Sequence, residues 1–378
     1  MSSSDQGIGR LIRSDLLRLK AYQPIVPLEV LSERAGIPIK GVIKLDGNEN
    51  PYGCSPRVRD ALARYPFYHI YPDPDQREVR QLLAGYVGVG AEHILAGAGS
   101  DELIDLILRL FLEPGDRVIN CVPTFGMYSF CTEVCGGRVV DVPRDKAYAV
   151  DVSAVKEAIN QKTKVIFIAS PNNPTGNLTQ QRDILELVKI GIVVVVDEAY
   201  YEFSGTTVAP LVPRYENLIV LRSFSKWAGL AGLRIGYGIF PAAIVEQLLK
   251  IKQPYNVNLA AQIAVKESLG DIDYLKGTVR TIIAERDRLF AQLKRLKYLK
   301  PWPSRANFIL CAVIKGDAQR IHEGLQKKGI FVRYFDTPLL RNSLRISVGK
   351  PEHSDALIQA LRELGGKQSE QKVSHHHP

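Results

Sequence analysis

Lys226 follows two hydroxyl residues in the run Ser223-Phe-Ser-Lys226, and Arg234 stands eight residues beyond it in SFSKWAGLAGLRIGYG. Two hydroxyls and a guanidinium at this spacing can converge on a phosphate and leave the lysine amine beside the anion. An amine of tunable pKa next to an anion cradle is what a protein needs to hold pyridoxal phosphate as a Schiff base. Alone, the run also fits a plain strand-to-loop junction with an exposed lysine, so its meaning depends on the rest of the chain.

Pyridoxal chemistry also needs a carboxylate against the pyridine nitrogen, because a protonated ring is the better electron sink. Asp197, placed after four valines, is the candidate: a buried acid there needs a cationic partner. A strand-end Asp that only caps a helix is the alternative. Tyr200 and Asn173 can hydrogen-bond the ring hydroxylate. Phe125, in Pro123-Thr-Phe-Gly-Met-Tyr128, offers a face for the ring to stack on, or else a core side chain. The N–H groups of Ser100 and Asp101 would lie at the positive end of a helix, where anions are stabilised. A tight turn with an Asp cap reads the same two residues without a ligand.

These residues need a scaffold that gathers them. Residues 164–169 (KVIFIA), 192–196 (IVVVV) and 218–221 (LIVL) are β-branched runs short enough to be strands buried on both sides. Each ends in polar residues: SPNNPTG, then DEAY, then SFSK. Ligands in open α/β sheets gather at the carboxyl ends of strands, so three such endings in succession describe one site. Residues 94–103 (ILAGAGSDEL) read as strand, Gly-rich turn and helix start, with Leu103, Ile104, Ile107, Leu108 and Phe111 at helical spacing. After about residue 255 the texture changes. An amphipathic helix over 273–296 and short strands near 306–312 and 344–348 suggest a smaller α+β domain, completed by the N-terminal segment.

The 378 residues, 46% hydrophobic and 24% charged, fit a globular protein of two or three domains. No stretch reaches the roughly 18 apolar residues of a membrane helix, and the N-terminus lacks a secretory signal, so a cytoplasmic location without membrane contact is expected. The net charge of +9 is spread along the chain with no nucleic-acid-binding motif. It fits an enzyme acting on anionic small molecules better than a nucleic-acid binder. The five cysteines form no CxxC pair and read as free thiols, and no metal site is expected. The tail from residue 367, including His375, His376 and His377, is expected to be disordered.

Asn173, Asp197, Tyr200, Ser223, Lys226, Arg234 and Arg345 match, in order and kind, the pattern of the fold-type I, class II aminotransferases, which the chain resembles. LDGNENPYG (45–53) and YPDPD (71–75) are similar to the histidinol-phosphate branch of that family. The resemblance implies a mostly parallel seven-stranded sheet flanked by helices, with a smaller α+β domain formed by both chain ends. Residues 1–45 would form an N-terminal arm and part of the small domain, 46–255 the large cofactor domain, and 256–366 the small C-terminal domain. It implies a homodimer with shared sites, in which Tyr71 reaches the cofactor phosphate of the neighbouring subunit. It also assigns Arg345 to the amino-acid carboxylate, Arg333 to substrate phosphate and Tyr22 to the substrate, and adds Ser225 to the phosphate group. Phe125 departs from the tyrosine of many relatives, and SFSK from their TLSK. The activity implied is transamination between histidinol phosphate and 2-oxoglutarate, giving imidazole-acetol phosphate and glutamate. An aromatic or broad-specificity aminotransferase and a threonine-phosphate decarboxylase remain as alternatives on the same cofactor residues.

Overall fold

The computed structural model describes residues 7–373. In chain order its strands are β1 (Ile43–Leu45), β2 (Ile94–Gly97), β3 (Arg117–Val122), β4 (Arg138–Pro143), β5 (Thr163–Ala169), β6 (Val193–Asp197), β7 (Leu218–Ser223), β8 (Gly236–Ile239), β9 (Leu299–Pro301), β10 (Phe308–Val313), β11 (Ile330–Phe335) and β12 (Ser343–Ser347). Seven of them form one sheet in the order β2-β8-β7-β6-β5-β3-β4. Only β8 runs against its neighbours there. The other five form a second sheet, β1-β11-β12-β10-β9.

The three β-branched runs become the adjacent parallel strands β5, β6 and β7, because both of their faces can be covered by apolar side chains. Alternation along β6 sends Val194 and Val196 into one core and Val195 into the other. Each fully buried valine of this kind contributes about 1.5–3 kcal/mol, so the strands that carry the polar endings are held firmly. Ala169 pairs with Asp197, and Asp197 is level with Leu221. The segments bearing Asn173, Tyr200 and Lys226 therefore leave the sheet from one edge.

Helix Ser100–Phe111 buries Leu103, Ile104, Ile107 and Leu108 on the second face of the sheet, as their spacing requires. Helix Leu259–Gly270 buries Ala261, Ala264 and Val265 in the first core. The long helix Ile272–Arg295 begins there with Leu275, Val279 and Ile282 and ends in the core of the five-stranded sheet with Leu289 and Leu293. The changeover between the two cores thus falls inside this helix, later than the change of texture near residue 255. β1 joins the second sheet beside β11, so both ends of the chain build it. The last helix, Pro351–Val373, runs on past residue 367, where disorder is expected from the sequence. Its run KQSEQKV consists mostly of straight-chain residues with good helix propensity. The three tail histidines lie outside the described residues.

Candidate active site

Asp197 ends β6 with its carboxylate buried. Oδ2 accepts a hydrogen bond from the Tyr128 hydroxyl at 2.6 Å, and Oδ1 accepts from the Ala199 N–H at 3.0 Å. Burial raises its pKa to about 6, with the Tyr128 hydroxyl pulling the other way. No cation pairs with it among the described residues. A desolvated carboxylate held by two donors but by no positive charge is shaped for a cationic ligand atom.

Ser223, at the end of β7, caps the one-turn helix Phe224–Trp227 by accepting from the Ser225 N–H at 3.1 Å. That turn presents Lys226, whose Nζ donates to the Gly47 carbonyl at 3.0 Å. Burial, seconded by the charge of Arg345, lowers the amine to about 8, so a sizeable fraction is neutral and nucleophilic near neutral pH. Arg234 has a left-handed backbone, φ 53°, and its Nη2 donates to Asp101 Oδ2 at 2.8 Å. Gly99 has φ 81°, and a Cβ there would fall 2.5 Å from Arg234 Nη2. Glycine is needed so that the guanidinium can lie over the start of helix Ser100–Phe111. The serines, the arginine and this helix start surround one end of a cavity of about 1120 Å³.

The loop after β1 forms the other wall. Asn48 Nδ2 donates to the Tyr200 hydroxyl at 2.9 Å, and the carbonyl of Asp46 accepts from Arg345 Nη2. Arg345 Nη1 donates to Asn173 Oδ1 at 2.6 Å, while its Nε has no partner. Tyr200 lies edge-on to Phe308, ring centroids 5.1 Å apart, and burial pushes its hydroxyl up to about 12. Arg333 and Arg345 are register partners on β11 and β12, and neither makes an ion pair among the described residues. Two neighbouring guanidiniums that make no ion pair among the described residues can receive a strong anion.

Tyr22, Ser100, Asp101, Phe125, Asn173, Asp197, Tyr200, Ser223, Ser225, Lys226, Arg234, Arg333 and Arg345 all line this cavity. Tyr71 does not: it is 76% exposed and stacks on Tyr255 at 4.4 Å. Two contributors were not foreseen in the sequence. Tyr128 stands one helical turn after Phe125, a weak signal at best, and stacks on Phe167 at 4.7 Å beneath the site. Asn48 sits in a polar loop whose partners are far away in sequence, which no local pattern reveals. Behind the site, Glu198 and Arg222 form a buried ion pair at 3.0 Å. It ties the ends of β6 and β7 together immediately beside Asp197 and Ser223.

The model of the aminotransferase class I and II family matches residues 40–361. A histidinol-phosphate aminotransferase of Dehalococcoides mccartyi is 51% identical over 94% of this chain and 98% of its own. The chloroplastic histidinol-phosphate aminotransferase 1 of Arabidopsis thaliana is 47% identical over 93% of this chain and 85% of its own. Among solved structures, histidinol-phosphate aminotransferase from Sinorhizobium meliloti in complex with pyridoxal-5'-phosphate superposes with a TM-score of 0.85 at 27% identity, covering 94% of this chain and 98% of that one. The site geometry and these matches converge, and the chain belongs to the class I and II aminotransferases.

Proposed function

We propose that this chain is a pyridoxal-phosphate-dependent histidinol-phosphate aminotransferase, exchanging an amino group between histidinol phosphate and 2-oxoglutarate in histidine biosynthesis. The observation that carries the chemistry is a pair lining one cavity: an amine lowered to about 8 and a buried carboxylate that no cation pairs with among the described residues. The substrate rests on the names of relatives near 50% identity. Neither alternative has comparable support. The L-threonine-O-3-phosphate decarboxylase of Porphyromonas gingivalis, at 23% identity and a TM-score of 0.75, shares the fold alone.

Bound here, pyridoxal phosphate supplies an electron sink for the pair left on the substrate Cα when its proton departs. Asp197 holds the proton of the ring nitrogen, with Tyr128 and Ala199 fixing its orientation. Phe125 would offer its ring face to the cofactor, and Tyr200 and Asn173 would supply polar groups to its ring oxygen. Ser223, Ser225, Arg234 and the N–H groups of Ser100 and Asp101 hold the phosphate. Lys226 would hold the cofactor through its amine and, as a base lowered to about 8, would accept the proton from the substrate Cα. Arg345 receives the glutamate carboxylate, Arg333 contributes to the histidinol phosphate dianion, and Tyr22 covers the substrate.

A homodimer with shared sites is part of the proposal. The exposed run of Phe67, Tyr68, Ile70 and Tyr71 supports it, since so many large apolar side chains in one short segment favour a partner surface. Tyr71, outside the cavity of its own chain, would serve the neighbouring one. Five free thiols and no disulfide fit a reducing cytoplasm. Among the described residues no helix is long and apolar enough to cross a membrane. The net charge of +9 is assigned to attracting anionic substrates rather than nucleic acid.

The test is to add histidinol phosphate to the cofactor-loaded enzyme and follow the visible band as it converts to the pyridoxamine form. Adding 2-oxoglutarate should then restore the band with release of glutamate. Higher kcat/KM for phenylalanine or tyrosine than for histidinol phosphate would instead establish an aromatic aminotransferase, and release of carbon dioxide a decarboxylase.

A further inference from the structure

Asn48 is 1% exposed, and its backbone is left-handed, φ 54°. Asparagine tolerates that conformation better than most residues with a Cβ. Every polar atom of Asn48 has a partner. Its N–H donates to Ser347 Oγ at 2.9 Å, its carbonyl accepts from Asn307 Nδ2 at 2.9 Å, its Oδ1 accepts from Ser347 Oγ at 2.9 Å, and its Nδ2 donates to the Tyr200 oxygen at 2.9 Å. The serine hydroxyl settles which end of the amide faces the tyrosine. Its oxygen accepts the main-chain N–H, and among the described residues its own hydrogen finds an acceptor only if Oδ1 faces it, which leaves the NH₂ end for Tyr200.

A phenol oxygen that accepts from an amide must send its own hydrogen elsewhere. Among the described residues no acceptor takes that hydrogen, and Tyr200 lines the cavity, so the open direction is the cavity. We propose that Asn48, fixed by Ser347, is a positioning residue that turns the hydroxyl hydrogen of Tyr200 toward the ring oxygen of the bound cofactor. The inference rests on the cofactor site proposed above. Ser347 lies two residues beyond Arg345 on β12, on the same side of that strand. One strand therefore carries both the carboxylate receptor and the support of the phenol. The charged groups facing Tyr200 are Arg345 from β12 and Asp197 from β6, with the Tyr22 phenol from the N-terminal arm. None of them hydrogen-bonds its oxygen.

The readout is the pH midpoint of the visible absorbance of the cofactor-loaded enzyme, which reports how strongly the anionic ring oxygen is stabilised. Asn48→Gly keeps a residue at ease with the left-handed backbone and removes the amide. It should raise the midpoint by about one pH unit, the scale of a weakened hydrogen bond to a charged group. Tyr200→Phe should raise it at least as far, and adding Asn48→Gly to Tyr200→Phe should change nothing more, because the amide acts through the phenol. An unmoved midpoint in folded Asn48→Gly, or an equal shift in the Tyr200→Phe background, would overturn the inference. Should Asn48→Gly fail to fold, Ser347→Ala removes a single hydroxyl and runs the same cycle with the same two outcomes. Failure of the cofactor site itself looks different: the wild-type protein would show no visible band that depends on Lys226.

Discussion

Replacing Asp197 with asparagine should stabilise the cofactor-free protein and cripple the loaded enzyme, and the structure gives both magnitudes. The carboxyl has an ordinary pKa of 3.8 and stands at about 6 in the folded chain, with burial as the main cause. Below pH 4 it is protonated in both the folded and unfolded states and costs nothing. Between about 4 and 6 the folded form keeps a proton that the unfolded form has lost, so stability falls as pH rises. Above 6 the whole penalty is present, roughly two pH units or about 3 kcal/mol. The amide side chain introduced by Asp197→Asn has nearly the same shape and never ionises, so the variant escapes that penalty. The amide is imperfectly matched to Tyr128 and Ala199, which trims the net gain to about 1–2 kcal/mol. Loaded with cofactor the sign reverses, because removing one member of a buried charged pair costs about 3–5 kcal/mol. Turnover should therefore fall by about two to four orders of magnitude, and cofactor affinity should weaken while the phosphate cradle and the Lys226 link still retain the cofactor. The assay is thermal or urea unfolding of both cofactor-free proteins at pH 4.5 and 7.5, with turnover measured separately. The advantage of the variant should be small at the lower pH and grow at the higher. An offset of equal size at both pH values would refute the claim that an unpaired buried charge is the cause, and near-normal turnover would refute the pairing with the ring nitrogen.

Lys226→Ala should abolish the borohydride-reducible link between protein and cofactor together with transamination, and peptide mapping that found the cofactor on another lysine would reassign the site. Since burial holds the amine at about 8, capture of pyridoxal phosphate by the cofactor-free wild type should quicken as pH rises through that value and level off above it; a midpoint at the ordinary 10.5 would remove the burial argument. Mixed dimers of Tyr71→Ala and Lys226→Ala should regain activity through one intact shared site, and none should appear after demonstrated subunit exchange if Tyr71 acts within its own chain. Arg333→Ala should lower kcat/KM for histidinol phosphate by well over tenfold, given that a desolvated charged hydrogen bond is worth roughly 2–5 kcal/mol. Phenylalanine, which carries no phosphate, should be affected far less, and an equal loss on both substrates would assign Arg333 to the fold rather than to the anion.

The strands that end in chemistry were the most legible part of this chain. A strand buried on both faces must be apolar throughout, so the point where polar residues begin marks its carboxyl end directly in the sequence. That is why 164–169, 192–196 and 218–221 lie within a residue or two of β5, β6 and β7. The boundary between the cores was harder to read. Composition changes near residue 255, but the helix Ile272–Arg295 serves both cores with one continuous amphipathic stripe, and nothing in that stripe says where one partner gives way to the other. Tyr71 shows a different limit: its exposure and its stacking on Tyr255 describe a single chain, while the role given to it concerns two.

The loop after β1 explains why the second wall of the site stayed hidden. Gly47, Asn48 and the Asp46 carbonyl touch Lys226, Tyr200 and Arg345, residues separated from them by 179, 152 and 299 positions. Two of these contacts are made by main-chain carbonyls, which carry no residue identity for a sequence to display. A catalytic lysine must be a lysine, and a ring-nitrogen partner must be an acid, so their chemistry is written in their side chains. A group that orients another is constrained only by shape and by the direction of its donors, and several residue types can meet that demand until the backbone is known. At position 48 the left-handed backbone, the serine on one side and the phenol on the other together narrow the choice to a small amide. That narrowing exists only once β1, β6 and β12 have been brought together, so the residues that tune the reaction become readable one level later than the residues that perform it.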